Sequence, residues 1–130
     1  MKALLPPGWP RPRGYSNGIS ASGRMIFTAG AVGWDEQQHF KSPDLVGQFA
    51  QALRNVLLIL AQDGAGPEHI VRMTVYITDM VTYRTSLGDM GTMWKSIMGR
   101  NYPAMALVEV KSLVEPAALV EIEATAVVPE

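Results

Sequence analysis

Tyr102-Pro103-Ala104-Met105-Ala106-Leu107-Val108-Glu109-Val110 and, further along, Ala118-Leu119-Val120-Glu121-Ile122-Glu123-Ala124-Thr125-Ala126 both alternate with period two, the pattern of strands that turn one face to a core and the other away from it. In the second run Val120, Ile122, Ala124 and Ala126 share a face, and Leu119, Glu121, Glu123 and Thr125 share the other. In the first, Ala104, Ala106, Val108 and Val110 oppose Met105, Leu107 and Glu109. Grouping the carboxylate-bearing sides puts three glutamates among Met105, Leu107 and Leu119, an apolar load that a plain solvent face disfavours. The expectation is a sheet face covered by another subunit, with a pocket at the seam.

Composition bounds what such a chain does. At 130 residues it fits one domain, residues 1–130, burying roughly two-thirds of its unfolded surface. A net charge of −1 carries no electrostatic footprint for nucleic acid. The absence of cysteine removes disulfides, thiol nucleophiles and Cys-type metal sites. Met1 to Leu5 runs into Pro6 and Pro7 well short of the roughly 7–15 apolar residues of a secretory signal. No stretch reaches the ~18 apolar residues of a membrane span, so a cytoplasmic protein without a membrane partner is expected.

Residues 1–14 form a proline-rich arm, with four prolines between Leu5 and Gly14 that favour an extended chain. Tyr15–Ala21 and Arg24–Ala29, joined by Ser22-Gly23, read as a hairpin. Gly30 and Gly33 follow at once and mark a bulge or a close approach of backbone to another group. Ser42-Pro43-Asp44 starts a helix of about five turns, whose Leu45, Phe49, Leu53, Val56, Leu57 and Leu60 recur at helical spacing. Val71, Met73, Val75 and Ile77 then alternate with Arg72, Thr74, Tyr76 and Thr78 as a strand. A second helix is predicted over Val81 to Met98, stopped by Gly99. Gly88 and Gly91 weaken it by about 1 kcal/mol each relative to alanine, which predicts an irregular middle. The order strand, strand, helix, strand, helix, strand, strand argues an α+β sandwich, a mixed sheet with two helices on one face.

Few groups are equipped for chemistry. His39 and His69 are the only imidazoles and stand in no ligand-spaced cluster, so no metal is expected. No Gly-x-Ser-x-Gly elbow is present. Glu121 and Glu123 point the same way from one strand, roughly 7 Å apart. A carboxylate on a partly dry face can orient a water as general base or acid. The plainer alternative, for Glu123 and Glu109 especially, is a cross-strand or intersubunit ion pair with Arg72 or Lys111.

At this point the chain resembles the Rid family, the YjgF-like proteins once described as ribonucleases and known as enamine/imine deaminases. The resemblance runs from Gly14 to Val128 and rests on Gly14-Tyr15-Ser16, Ile26-Phe27-Thr28-Ala29-Gly30, Asn55-Val56-Leu57, Val71 to Met80, Pro103-Ala104 and Val108-Glu109-Val110. The closing run from Val120 to Ala126 is its most specific part. It implies a chorismate-mutase-like subunit and a homotrimer with a pocket at each seam. It further implies that Tyr15, Ala29, Gly30, Met105, Ala106 and Leu107 line that pocket with Glu121 as the catalytic group, Tyr83 to Leu87 being nearby.

One departure bears on function. Active deaminases of the family carry an arginine after Pro-Ala that grips the substrate carboxylate, whereas this chain reads Pro103-Ala104-Met105. A thioether offers neither charge nor donors, and the loss of such a contact is worth roughly 3–5 kcal/mol of binding. Arg13, Arg72 and Arg100 are the candidate substitutes. The expected function is binding of a small metabolite, with enamine/imine hydrolysis to ketone and ammonia as the implied reaction. No cofactor is required, because an imine carbon is already electrophilic. The alternative is a non-catalytic binding or interaction module that lost the reaction with its arginine.

Overall fold

The computed structural model describes residues 1–130. Asp44 has the extended backbone of a helix N-cap, and its carboxylate accepts the Gly47 N–H at 2.7 Å to open α1 (Leu45–Ala61). The stripe of Phe49, Leu53, Val56 and Leu60 is buried against β5 (Ile70–Ile77) and β7 (Val120–Val128). Those strands present Met73, Val75, Ile77, Val120, Ile122, Ala124 and Ala126 to it. Each fully buried aliphatic side chain contributes about 1.5–3 kcal/mol, so this interface holds the domain together.

The main sheet is mixed. Its order is β3 (Arg24–Phe27), β7, β5, β6 (Ala104–Glu109), with β4 (Ala31–Val32) on the same edge of β7 as β3. Only β5 and β6 run parallel, joined by the crossover through α2 (Met80–Thr85) and α3 (Leu87–Met98). Trp94 and Met98 bring α3 into the core beside α1, so both long helices cover one sheet face, as the pattern predicts.

Three local expectations are corrected. The hairpin across Ser22-Gly23 does not form. Instead β2 (Ile19–Ser20) pairs antiparallel with β1 (Lys2–Ala3), while β3 pairs with β7, whose nine residues offer a longer ladder. Gly23 packs where a side chain would meet the Val128 carbonyl. The second helix is broken at Ser86, ahead of both glycines, and runs unbroken through Gly88 and Gly91 to Gly99, whose φ of 64° ends it.

The third correction concerns faces. Met105 stands opposite Met73, Leu107 opposite Val75 and Glu109 opposite Ile77, so Met105 and Leu107 lie on the helix-covered face and not with Glu121 and Glu123. Ala104, Ala106 and Val108 take the uncovered face with Arg72, Thr74 and Tyr76. The reason is burial: the larger apolar side chains of the strand go where α1 and α3 remove water from them, and the smaller ones go to the open side.

Candidate functional site

Within one chain the expected site residues fall into two groups. The first is built on β7 and β4. Glu121 pairs with Tyr76 on one side and Val32 on the other, and its carboxylate lies along the backbone at Gly30. A methyl group at Gly30 would stand 2.6 Å from Glu121 Oε2. The close approach arises because β3 and β4 are joined by a bulge. Phe27 faces Thr125 and Ala31 faces Ile122, which leaves one unmatched residue on the Thr28–Gly30 side.

Two amide side chains of α1 hold this segment, and neither was anticipated. Asn55 Nδ2 donates to the carbonyls of Val32 at 3.0 Å and Trp34 at 2.8 Å, and Gln51 Nε2 donates to Asn55 Oδ1. Buried Gln48 donates to the Ser42 and Ala117 carbonyls and accepts the Leu119 N–H at 2.8 Å, fastening the approach to β7. The available signal was Gln48, Gln51 and Asn55 at three- and four-residue spacing beside the apolar stripe.

Behind Glu121 on the uncovered face, Tyr76 Oη donates to Glu123 Oε1 at 3.0 Å. That hydrogen bond, burial and the charges of Glu123 and Glu121 push the Tyr76 hydroxyl above its usual range and keep it protonated. Glu109 accepts the Met80 N–H at 2.8 Å at the start of α2. Glu123 and Glu109 are thus engaged by a hydroxyl and a backbone amide, and within the chain neither forms a cross-strand ion pair with Arg72 or Lys111.

The second group sits on β6, the sheet edge. Ser16 docks there, its N–H donating to the Pro103 carbonyl at 3.0 Å and its hydroxyl to the Tyr102 carbonyl at 2.5 Å. This brings half-exposed Tyr15 beside the strand that carries Met105, Ala106 and Leu107. Met105 and Leu107 face a cavity of ≈ 520 Å³ under α3, walled by Phe49, Tyr83, Trp94 and Tyr102 and reached by Arg13 and Lys95. Trp94 and Tyr102 stack with ring centroids 6.2 Å apart. Burial raises the Tyr83 hydroxyl above its ordinary value, so it stays protonated. Ala106 points to the other face, two strand spacings, roughly 10 Å, from the Glu121 column.

The three substitute arginines are separated. Arg72 borders a hollow of ≈ 190 Å³ on the uncovered face with Thr74 and Glu123. Arg100 borders one of ≈ 220 Å³ near Ser16. Only Arg13 shares a cavity with Met105. His69 Nδ1 accepts the Gly66 N–H at 2.9 Å, a turn-closing task, and His39 is exposed. No three His, Cys, Asp or Glu side chains converge to hold a metal. No helix is long and apolar enough to cross a membrane.

The family profile described as Endoribonuclease L-PSP matches residues 10–128. A RutC family protein of Pyrococcus horikoshii is 33% identical over 119 residues, 90% of each chain. The crystal structure of a Rid family protein, YyfB of Yersinia pestis, superposes with a TM-score of 0.85 at 28% identity over 98% of both chains. TdcF of E. coli, solved with bound serine, superposes at 0.69 with 27% identity over 98% of this chain and 99% of its own. The chain therefore belongs to the Endoribonuclease L-PSP family, which takes in the RutC and Rid/YjgF proteins.

Proposed function

We propose that the protein binds a small amino-acid-like metabolite at the seams of a homotrimer and hydrolyses its enamine or imine form. The observation that carries this reading is the pose of Glu121, a half-buried carboxylate held along the Gly30 backbone on a sheet face that no helix covers. In one chain Glu121 and Met105 lie on opposite faces and two strands apart, so they contribute to one site only if they come from different subunits. The bound serine of TdcF supports an amino-acid-like ligand. In the reaction a water oxygen bonds to the imine carbon while Glu121 takes the water proton. That proton passes to nitrogen to give a carbinolamine; the remaining hydroxyl proton then moves by way of Glu121 to nitrogen as the C–N bond breaks, and the carbonyl compound and ammonia leave.

Ammonia release from imines generated in situ by an amino-acid oxidase tests this. Turnover is expected to fall at least about a hundredfold in Glu121→Ala, the range of a lost acid–base group. Unchanged turnover in that variant overturns the assignment of Glu121.

Met105 favours a second reading, a binding module that no longer turns over, because β6 presents a thioether to the cavity where the active relatives, by resemblance, present an arginine. On that reading the wild type releases no ammonia and Met105→Arg does. A net charge of −1 speaks against the ribonuclease activity that the family description names.

A further inference from the structure

We propose that the cavity beneath α3 selects small carboxylates with a bulky apolar side chain, aromatic ones above all, and that Arg13 of the N-terminal arm is the group that grips the carboxylate. The proposal deepens the reading of the protein as an enamine/imine-binding protein and rests on it.

Charge points to an anion. The lining includes two cations, Arg13 and Lys95, and no aspartate or glutamate. Of the two, Arg13 has the planar fork of donors that matches a carboxylate at two points, where an ammonium offers only a point charge. Its placement is built in. Ser16 ties the arm to the start of β6 through two hydrogen bonds, and Gly14, at a φ of 80°, turns the chain so that Arg13 borders the same cavity as Met105.

Shape and lining point to the side chain. A volume of ≈ 520 Å³ lies within the usual range for small-ligand sites, and a serine-sized molecule would leave most of it unfilled. Phe49, Tyr83 and the near-parallel pair Trp94–Tyr102 give the cavity an aromatic lining against which an apolar ring packs. The glycines of α3 give an independent sign. Gly88 and Gly91 both line the cavity, and a methyl group added at either meets nothing within 4 Å. Close packing does not require glycine there, and glycine weakens a helix. What the two residues do accomplish is to keep the space open.

Calorimetric titration with phenylpyruvate, pyruvate and uncharged phenylacetone tests the proposal. Phenylpyruvate is expected to bind at least about tenfold more tightly than either of the others, the size of one lost charge-assisted contact or of one well-buried ring. Arg13→Ala should cost phenylpyruvate about tenfold or more and Lys95→Ala less than about threefold. Gly91→Leu should abolish phenylpyruvate binding while the melting temperature holds or rises. Failure of the wild type to bind phenylpyruvate, or an Arg13→Ala affinity within about fivefold of wild type, overturns the proposal. The ammonia assay separates it from the reading beneath it. Arg13-dependent binding without ammonia release leaves the ligand class standing and removes the hydrolysis, and ammonia release indifferent to Arg13 does the reverse.

Discussion

Two glycines a few residues apart serve opposite ends, and the atoms they face show it. At Gly30 an added methyl group would meet the far end of a flexible side chain, Glu121 Oε2 at 2.6 Å. At Gly33 it would meet backbone, the Gln48 carbonyl oxygen at 2.4 Å, where β4 crosses α1. Gly30→Ala is therefore expected to swing the carboxylate aside and reduce turnover while changing stability by less than about 1 kcal/mol. Gly33→Ala must push strand and helix apart and should cost about 1–3 kcal/mol. Urea unfolding of both variants beside the ammonia assay checks the contrast, and equal stability losses would refute it. Gly30 was legible as a place of close approach from its position after a strand. Its partner was not, because which side chain crosses a bulge depends on the register of a strand some ninety residues away.

At the scale of elements, each strand's two faces could be read from its alternation, but not which faces are shared. The alternation within Ala104–Glu109 separates Met105 and Leu107 from Ala104 and Ala106, but which set sits beside Met73 is settled by the parallel pairing with β5, and that pairing is a tertiary fact. The same limit explains β3, whose sequence neighbour is the nearest candidate partner but whose actual partner is the longer β7. Helix α1 was legible because its cap and stripe are local. The loop after β4 shows how such joints respond to pH. Asp35 is buried and accepts the N–H groups of Gln37 and His39 at 2.9 Å each, with Lys41 at 3.4 Å. The His39 amide foremost, then the Gln37 amide and Lys41, hold its carboxyl below the ordinary 3.8 against the opposing effect of burial. A lowered folded pKa stabilises the protein above the unfolded value and ceases to do so as pH falls through the folded one. The melting temperature of wild type should therefore exceed that of Asp35→Asn by a constant margin above about pH 5, and the margin should close as pH drops below 3.8. A margin that does not change with pH would contradict this account.

For the molecule as a whole, the uncovered sheet face is the feature that asks for a partner. Phe27 is 67% and Met25 57% exposed there, with Val108 across the sheet. Burying such side chains contributes about 1.5–3 kcal/mol each, so Met25→Lys with Phe27→Glu should dissociate the proposed trimer into folded monomers. Sedimentation reads the mass and circular dichroism the fold. Turnover should vanish with dissociation, because Glu121 and the β6 edge would then belong to separate particles. A wild type that sediments as a monomer at micromolar concentration would remove the seam from the account. The strand order carries a further consequence, in time. Strand β7 receives β3 and β4 on one edge and β5 on the other, and its partner β3 lies about a hundred residues upstream, so the sheet stays incomplete until a very long loop closes. The β5–α2–α3–β6 crossover can gather early as a local nucleus, yet its inner edge stays bare until that closure. Refolding should accordingly be a slow event of milliseconds to seconds, limited by the arrival of one strand, and the chain is most open to tangling with its copies while it waits.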